Sequence, residues 1–285
     1  MIDKPSGRSA HDVVAAVRRA TRIKKAGHAG TLDPMATGVV VVAIARATRL
    51  IRFVQDTTKE YFATAMFGVA TDSLDADGTV LTREPMDVRL ADVRRAAEGF
   101  VGDIMQIPPM VSALKVDGRR LYDLAREGTE VERQPRPVSV YELEIIDVGP
   151  PPFPEVRMRV SCGKGTYVRS LADDLAGALG GRAHLTALRR TAIGHLTLDR
   201  AISLDQLEDR WADAHMSPRE GLAALPAVVV SRDESVAVSH GARFARKIAE
   251  DVTDGQPYCV LDEDDRLLAV YRNVANGSRA EVVIA

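Results

Sequence analysis

Residues 27–38 read Gly27-His28-Ala29-Gly30-Thr31-Leu32-Asp33-Pro34-Met35-Ala36-Thr37-Gly38, and Val39-Val40-Val41-Val42-Ala43-Ile44 follows at once. The glycines permit tight turns or the close approach of another backbone. Pro34 biases Asp33 away from helical geometry toward an extended backbone. The β-branched run 39–44 predicts a strand covered on both faces. Asp33 is therefore a held carboxylate on a short constrained loop. An ionised carboxylate so fixed can act as a nucleophile or stabilise positive charge developing at a sugar's anomeric carbon. A lone Asp-Pro pair is most often only a turn, so neighbouring sequence has to decide.

Upstream, Ser9 with Asp12 forms a capping box for a helix to about Ala20, with Val13, Val14 and Val17 on one face. Downstream, Lys59 to Phe67 reads as a strand, Ala70 to Gly78 as an Asp-rich polar loop, and Leu90, Val93, Ala97 and Phe100 as one helix face. Ile107-Pro108-Pro109 breaks that pattern and opens an irregular segment to Gly118. Arg119 to Glu127 reads as a short helix stopped by Gly128. Pro137 to Val148 and Glu155 to Cys162 are strands joined through a proline-rich turn. In the second, Val156, Met158, Val160 and Cys162 alternate with Arg157, Arg159 and Ser161, predicting one buried and one cationic face. Val168, Leu171, Leu175 and Ala178 mark a helix, and 217–226 reads as a linker to short strand-like runs at 227–230, 258–262 and 267–271. Without a βαβ rhythm, the class is α+β with a largely antiparallel sheet flanked by helices, followed by a small β-rich module.

Two cysteines, Cys162 and Cys259, cannot build a disulfide framework or a four-thiol zinc site, and six scattered histidines include no H-E-x-x-H pair, so no metal is expected. The longest apolar run is far short of a membrane span, which predicts a cytoplasmic protein. Gly163-Lys164-Gly165-Thr166 lacks the first glycine of a P-loop, and its lysine precedes glycine. The net charge of −2 hides an asymmetry: residues 1–52 hold ten Lys/Arg against three Asp/Glu, 157–190 seven against two, and 222–285 seven against ten. With 31 of 38 cations arginine, a folded basic face for RNA phosphates is one reading and an ordinary solvated face the other.

The stretch G-H-A-G-T-L-D-P-x-A-T-G resembles the catalytic motif of the bacterial tRNA pseudouridine-55 synthases. The likeness continues in order through Asp3-Lys4-Pro5-Ser6-Gly7, Lys59-Glu60-Tyr61, Thr71 to Gly78, Ile107 to Lys115, Gly163 to Leu171 and Leu188-Arg189-Arg190, spanning roughly residues 1 to 200. The resemblance implies the pseudouridine synthase fold over residues 1–216, with an RNA-clamping insertion at about 103–133, and a PUA-like module over 222–285. It implies isomerisation of uridine 55 in the T-loop of tRNA without a cofactor: uracil leaves C1′, rotates and rejoins through C5. Asp33 would attack C1′ or abstract a ribose proton; both routes stay open.

By the same resemblance Arg169 is the cation that keeps Asp33 ionised, as a water-excluding site requires. Tyr61 stacks on the everted uracil, Tyr167 forms the pocket wall, Leu188 its apolar floor, and His28 contacts the stack the base leaves. Lys115, Arg119 and Arg120, with Arg126, would position T-stem phosphates without reading sequence. Lys4-Pro5 braces the catalytic loop. A monomer with no obligate protein partner is expected. A nucleoside or glycoside hydrolase would also use a carboxylate at an anomeric carbon but would release free base, and a noncatalytic RNA-folding module would not need Asp33.

Overall fold

The strand expected at Lys59–Phe67 forms with those bounds because its alternation is regular: Lys59, Tyr61, Ala63, Ala65 and Phe67 are buried while Glu60 and Phe62 are exposed. It lies inside a nine-stranded sheet whose order is Ile202–Ser203, Ile2–Lys4, Thr37–Val40, Ala183–Ile193, Lys59–Phe67, Glu155–Cys162, Arg136–Val148 and Gly102–Gln106, with Leu196–Thr197 paired to Ala183–Ile193 off this path. Two pairings, Ile2–Lys4 with Ile202–Ser203 and Thr37–Val40 with Ala183–Ile193, are parallel. The other pairings in this sheet are antiparallel, giving the mixed, largely antiparallel α+β architecture expected. The computed structural model describes residues 1–284 apart from 113, 117, 128 and 130, and gives only the backbone of 115, 116, 120, 123, 125 and 126.

Helix Ala10–Thr21 starts at the capping box: Ser9 Oγ accepts from Asp12 N while Ser9 N donates to Asp12 Oδ2 at 2.8 Å. Its buried Val13 and Val17 join helices Leu90–Glu98 and Val168–Ala178 in one core with Tyr61, Phe67, Met158 and Leu185. A fully buried aliphatic side chain in such a core is worth about 1.5–3 kcal/mol, which is why these short helices hold against the sheet.

The 39–44 run is two strands rather than one. Thr37–Val40 pairs with Ile2–Lys4 in the main sheet, whereas Val42–Ile44 turns away to pair with Ala26–His28, at the start of the loop that carries Asp33. Coverage on both faces holds where it matters: Val40 enters the main core, while Val39 and Val41 face a second apolar cluster. That cluster joins Leu50, Phe53, Val54, Ile193 and Leu196 to Cys259, Leu261, Leu267, Val270 and Val282. The latter five belong to a separate four-stranded sheet of Ala227–Val229, Pro257–Leu261, Leu267–Val274 and Gly277–Val283. The last of these strands has no counterpart among the strand-like runs read from sequence. Between the sheets, 217–226 is not a bare linker: Ser217 and Glu220 cap a short helix, Pro218–Gly221, and Leu222 is buried.

Two further expectations are corrected. Arg119–Arg120 is a strand paired with Lys115–Val116, and the helix begins only at Leu121, ending at Arg126. The cationic face of Glu155–Cys162 is neutralised by the adjacent strand: Arg157 pairs with Asp147, and Arg159 lies between Glu142 at 2.9 Å and Glu144 at 3.1 Å. Glu155–Cys162 follows the alternation, while Arg136–Val148 shifts register at Val140/Glu142 and Ile145/Asp147, and the acids that face these arginines come from across the pairing and cannot be read from one strand alone.

Candidate active site

Asp33 sits on a loop fastened from several directions. Lys4, fully buried, donates from Nζ to the carbonyls of Pro34 (3.1 Å), Arg8 (2.6 Å) and Pro5 (2.9 Å). Gly7 N donates to Pro34 O at 2.8 Å and Ser6 Oγ to Met35 O at 3.1 Å. Burial, partly offset by Asp33, lowers the Lys4 pKa to about 8. Gly38 has φ of +109°, and a Cβ there would stand 2.1 Å from Arg190 O, so the close approach of the two strands requires glycine.

Arg169, in the first turn of Val168–Ala178 and only 2% exposed, faces five oxygens. Its second terminal nitrogen donates to Asp33 Oδ1 at 3.0 Å and its Nε makes an ion-pair contact with Asp33 Oδ2 at 2.9 Å, so both carboxylate oxygens face the guanidinium. The other oxygens are Asp75 Oδ2 at 3.2 Å, Ser73 O at 2.7 Å and Val111 O at 2.9 Å. Asp75 is itself buried and accepts from Ser73 Oγ at 2.5 Å and Asp77 N at 3.2 Å. The Asp-rich segment thus backs Arg169 without lining the chamber, and Asp75 is a supporting residue that sequence reading leaves in a polar loop. Burial pushes the Asp33 carboxyl above its usual range; Arg169 pulls it back down, and Asp75 pushes it up again. The cation is what makes an ionised carboxylate tenable at this depth.

A cavity of about 140 Å³ opens in front of this pair, lined by Thr31, Leu32, Asp33, Tyr61, Ser112, Thr166, Tyr167, Val168, Arg169 and Leu188. Five of the residues singled out from sequence (Asp33, Arg169, Tyr61, Tyr167 and Leu188) therefore share one small chamber. Tyr61 is buried, and burial raises its pKa while the guanidinium of Arg190 beside it opposes the rise. Tyr167 is half-buried. Its backbone is gripped at both ends by the buried Gln106 amide, which donates to Tyr167 O at 3.0 Å and accepts from Tyr167 N at 2.8 Å.

Arg190 is the second supporting residue without a role in the sequence reading. It is 1% exposed and pairs in register with Gly38 on one side and Tyr61 on the other. It donates to Val39 O (2.8 Å), Thr31 O (3.1 Å) and Gly30 O (3.4 Å). One side chain thus ties the loop that carries Asp33 to the sheet beside the tyrosine. A double arginine after Leu188 is the available sequence signal, but nothing local separates Arg190 from Arg189, which pairs with Asp3 nearer the surface.

The remaining candidates are not in the chamber lining. His28 packs edge-on against His11 with ring centroids 5.2 Å apart, and burial, with His11 close by, lowers its pKa. Arg119 pairs with Glu127, which offsets its charge. The side chains of Lys115, Arg120 and Arg126 lie outside the described residues. A larger cavity of about 500 Å³ lies elsewhere, against Met1, Val17, Leu50, Trp211 and Leu222, and its lining has no carboxylate. Among the described residues no group of three or more His, Cys, Asp or Glu is placed to hold a metal ion, and no helix is long and apolar enough to cross a membrane.

Residues 18–168 match the family model of the TruB family pseudouridylate synthase N-terminal domain, and 169–237 that of the tRNA pseudouridylate synthase B C-terminal domain. The chain belongs to the TruB family. Within it, the chain is 42% identical over 281 residues to the tRNA pseudouridine synthase B of Burkholderia pseudomallei (strain 668), covering 95% of this chain and 91% of that one. It is 41% identical over 290 residues to the protein of the same name from Mycobacteroides abscessus, covering 100% and 94%. Among solved structures it is similar to a Cbf5-Nop10-Gar1 complex, with a TM-score of 0.76 and 26% identity over 99% of this chain and 83% of that one. It is also similar to an H/ACA RNP bound to a substrate RNA containing 2'-deoxyuridine, with a TM-score of 0.76 and 25% identity over 100% and 84%. As a TruB family member it is a pseudouridine synthase, with the fold of that class.

Proposed function

We propose that this TruB family enzyme isomerises uridine 55 in the T-loop of tRNA to pseudouridine, with Asp33 as the catalytic carboxylate. The substrate rests on the relatives named tRNA pseudouridine synthase B. The observation that carries the residue roles is the Asp33–Arg169 ion pair at the back of a small chamber that also presents Tyr61 and Leu188. Such a chamber suits a base that has left its stack: extrusion costs a few kcal/mol, and stacking on an aromatic face returns about 1–3 kcal/mol.

In this reading Arg169 holds Asp33 ionised and aimed, so that its free oxygen lone pairs meet the ribose, either at C1′ or at a proton of the sugar. The N-glycosidic bond breaks, uracil rotates against Tyr61, Tyr167 and Leu188, and C5 bonds to C1′, displacing Asp33 if it had bonded there; C5 then loses its proton and N1 takes one up. Product and substrate are isomers, so the net reaction calls for no oxidant, reductant or group donor. His28, at the edge of the loop, fills the space the base leaves, and Lys115, Arg119 and Arg120 on the insertion at about 103–133 hold the T-stem. Residues 1–216 carry the catalytic unit and 222–285 the PUA-like module. The enzyme works in the cytoplasm as a monomer, with tRNA as its partner.

Asp33→Asn keeps the shape of the side chain and removes its charge. Expected is retained binding of a T-arm hairpin with no tritium release from tRNA carrying C5-tritiated uridine. Turnover by the Asn variant would overturn the assignment, and release of free uracil by the native enzyme would favour a hydrolase.

A further inference from the structure

The two arginine-rich stretches of the chain use their charges differently. In 157–190, beyond the paired arginines of Glu155–Cys162, Lys164 pairs with Asp56, Arg182 with Asp173 and Arg189 with Asp3. Arg169 and Arg190 are buried in the site. That stretch has no cation to spare for a partner. In contrast, Arg19, Arg22, Lys24 and Lys25 are all exposed, and their side chains form no hydrogen bond or ion pair among the described residues.

Local structure accounts for little of this cluster. Arg19 lies in the last turn of Ala10–Thr21, where a cation complements the helix dipole, but Lys24 and Lys25 lie beyond the helix. Arg22 is the C-cap with φ of 58°, a left-handed conformation that favours glycine or asparagine. Its charge can complement the helix dipole as that of Arg19 does, but the left-handed cap calls for no long side chain, and Lys24 and Lys25 have no such role.

The cluster's place in the fold suits one kind of partner. Lys25 O accepts from Ala45 N at 2.8 Å, and the strand Ala26–His28 follows directly, so Lys25 stands three residues, roughly 10 Å, from His28 on the catalytic loop. On the other side Arg46 and Arg49 follow Ala45 and donate to the carbonyls of Ile284 and Val283 at the end of the C-terminal sheet. Lys25 therefore stands between the loop that carries Asp33 and the second sheet, with Lys24 and Arg22 within three residues of it along the chain and Arg19 one helical turn before Arg22.

We infer that Arg19, Arg22, Lys24 and Lys25 form a phosphate-binding surface along which the RNA backbone runs from the everted nucleotide toward the C-terminal sheet. This rests on the proposed tRNA substrate. The surface is sequence-blind and attracts by charge, so its signature is salt dependence.

The test compares native enzyme, the Arg19→Gln/Arg22→Gln/Lys24→Gln/Lys25→Gln variant, the smaller Lys24→Gln/Lys25→Gln variant and an Arg157→Gln/Arg159→Gln control. Dissociation constants for tRNA are measured between about 50 and 200 mM salt, alongside tritium release. The quadruple variant should bind roughly tenfold or more weakly, with the slope of log K against log salt shallower by about 0.7–0.9 for each phosphate no longer neutralised. The double variant should show about half that change, with the loss in KM rather than kcat, and the control should match the native enzyme. Native affinity and slope in the quadruple variant, with normal tritium release by the native enzyme, would overturn this surface alone. Absence of pseudouridine formation by the native enzyme on tRNA would instead overturn the proposed function.

Discussion

Two buried arginines flank the pocket, and they are satisfied by different groups. Arg169 stands between the carboxylates of Asp33 and Asp75, with two carbonyls completing its shell. Arg190 meets no carboxylate among the described residues and is held by the carbonyls of Gly30, Thr31 and Val39 beside Tyr61. A guanidinium gripped by carboxylates governs a protonation state, because its charge is what the acids respond to. One gripped by carbonyls governs shape, because its planar fork fixes the Gly30–Thr31 segment against Val39. Asp33 responds to the first, while the second holds the loop that carries it.

Arg169→Met should break the charge side of this contrast most severely. It leaves two carboxylates facing each other without a cation, so Asp33 holds its proton to higher pH. The acid limb of the pH–rate profile should then move upward. A loss on the order of 10²–10³ in kcat/KM is expected, as for removal of a preorganised charge-stabilising group, and breaking a buried pair should cost about 3–5 kcal/mol of stability. Tritium release across pH and urea unfolding measure both.

Arg190→Lys tests the other side. The charge stays but the fork is lost, leaving buried carbonyls short of donors at about 1–3 kcal/mol each. Stability should fall by a few kcal/mol while the acid limb stays where it is. If the limb moves as it does for Arg169→Met, the division of labour between the two arginines is wrong.

Asp75→Asn gives the smallest effect and the sharpest sign. Removing a charge that raises the Asp33 pKa should shift the acid limb downward, opposite to Arg169→Met, with roughly tenfold loss of rate from a less firmly held arginine. An upward shift would mean that Asp75 acts on Asp33 chiefly by holding Arg169.

What could be read from sequence and what could not divides along the range of the interactions. The capping box at Ser9 and the alternation of Lys59–Phe67 are local and form as read. Pro34 and the flanking glycines show within a few residues that Asp33 is held, but it is the resemblance of the whole 27–38 stretch, not the Asp-Pro pair, that singles it out. The division of the 39–44 run at Val41 depends on a second pairing partner, Ala26–His28, and Arg119–Arg120 becomes a strand through Lys115–Val116. Neutralisation of Arg157 and Arg159 needs acids from the neighbouring strand. Asp75 meets Arg169 across 94 residues of chain (169 minus 75), and Arg190 reaches Gly30 across 160. Their residue types give no hint of such company.

The apolar seam in which Phe53, Val54 and Leu196 meet Leu261, Val270 and Val282 makes the second sheet more than an appendage. A chain severed near residue 222 would bare this seam on both fragments, and each aliphatic stripped of its neighbours forfeits a sizeable part of its burial energy. Heating the intact protein should accordingly produce one calorimetric peak, the halves surrendering their order together. The small sheet is ballast, without which the strand leading out of the Asp33 loop would have one bare flank.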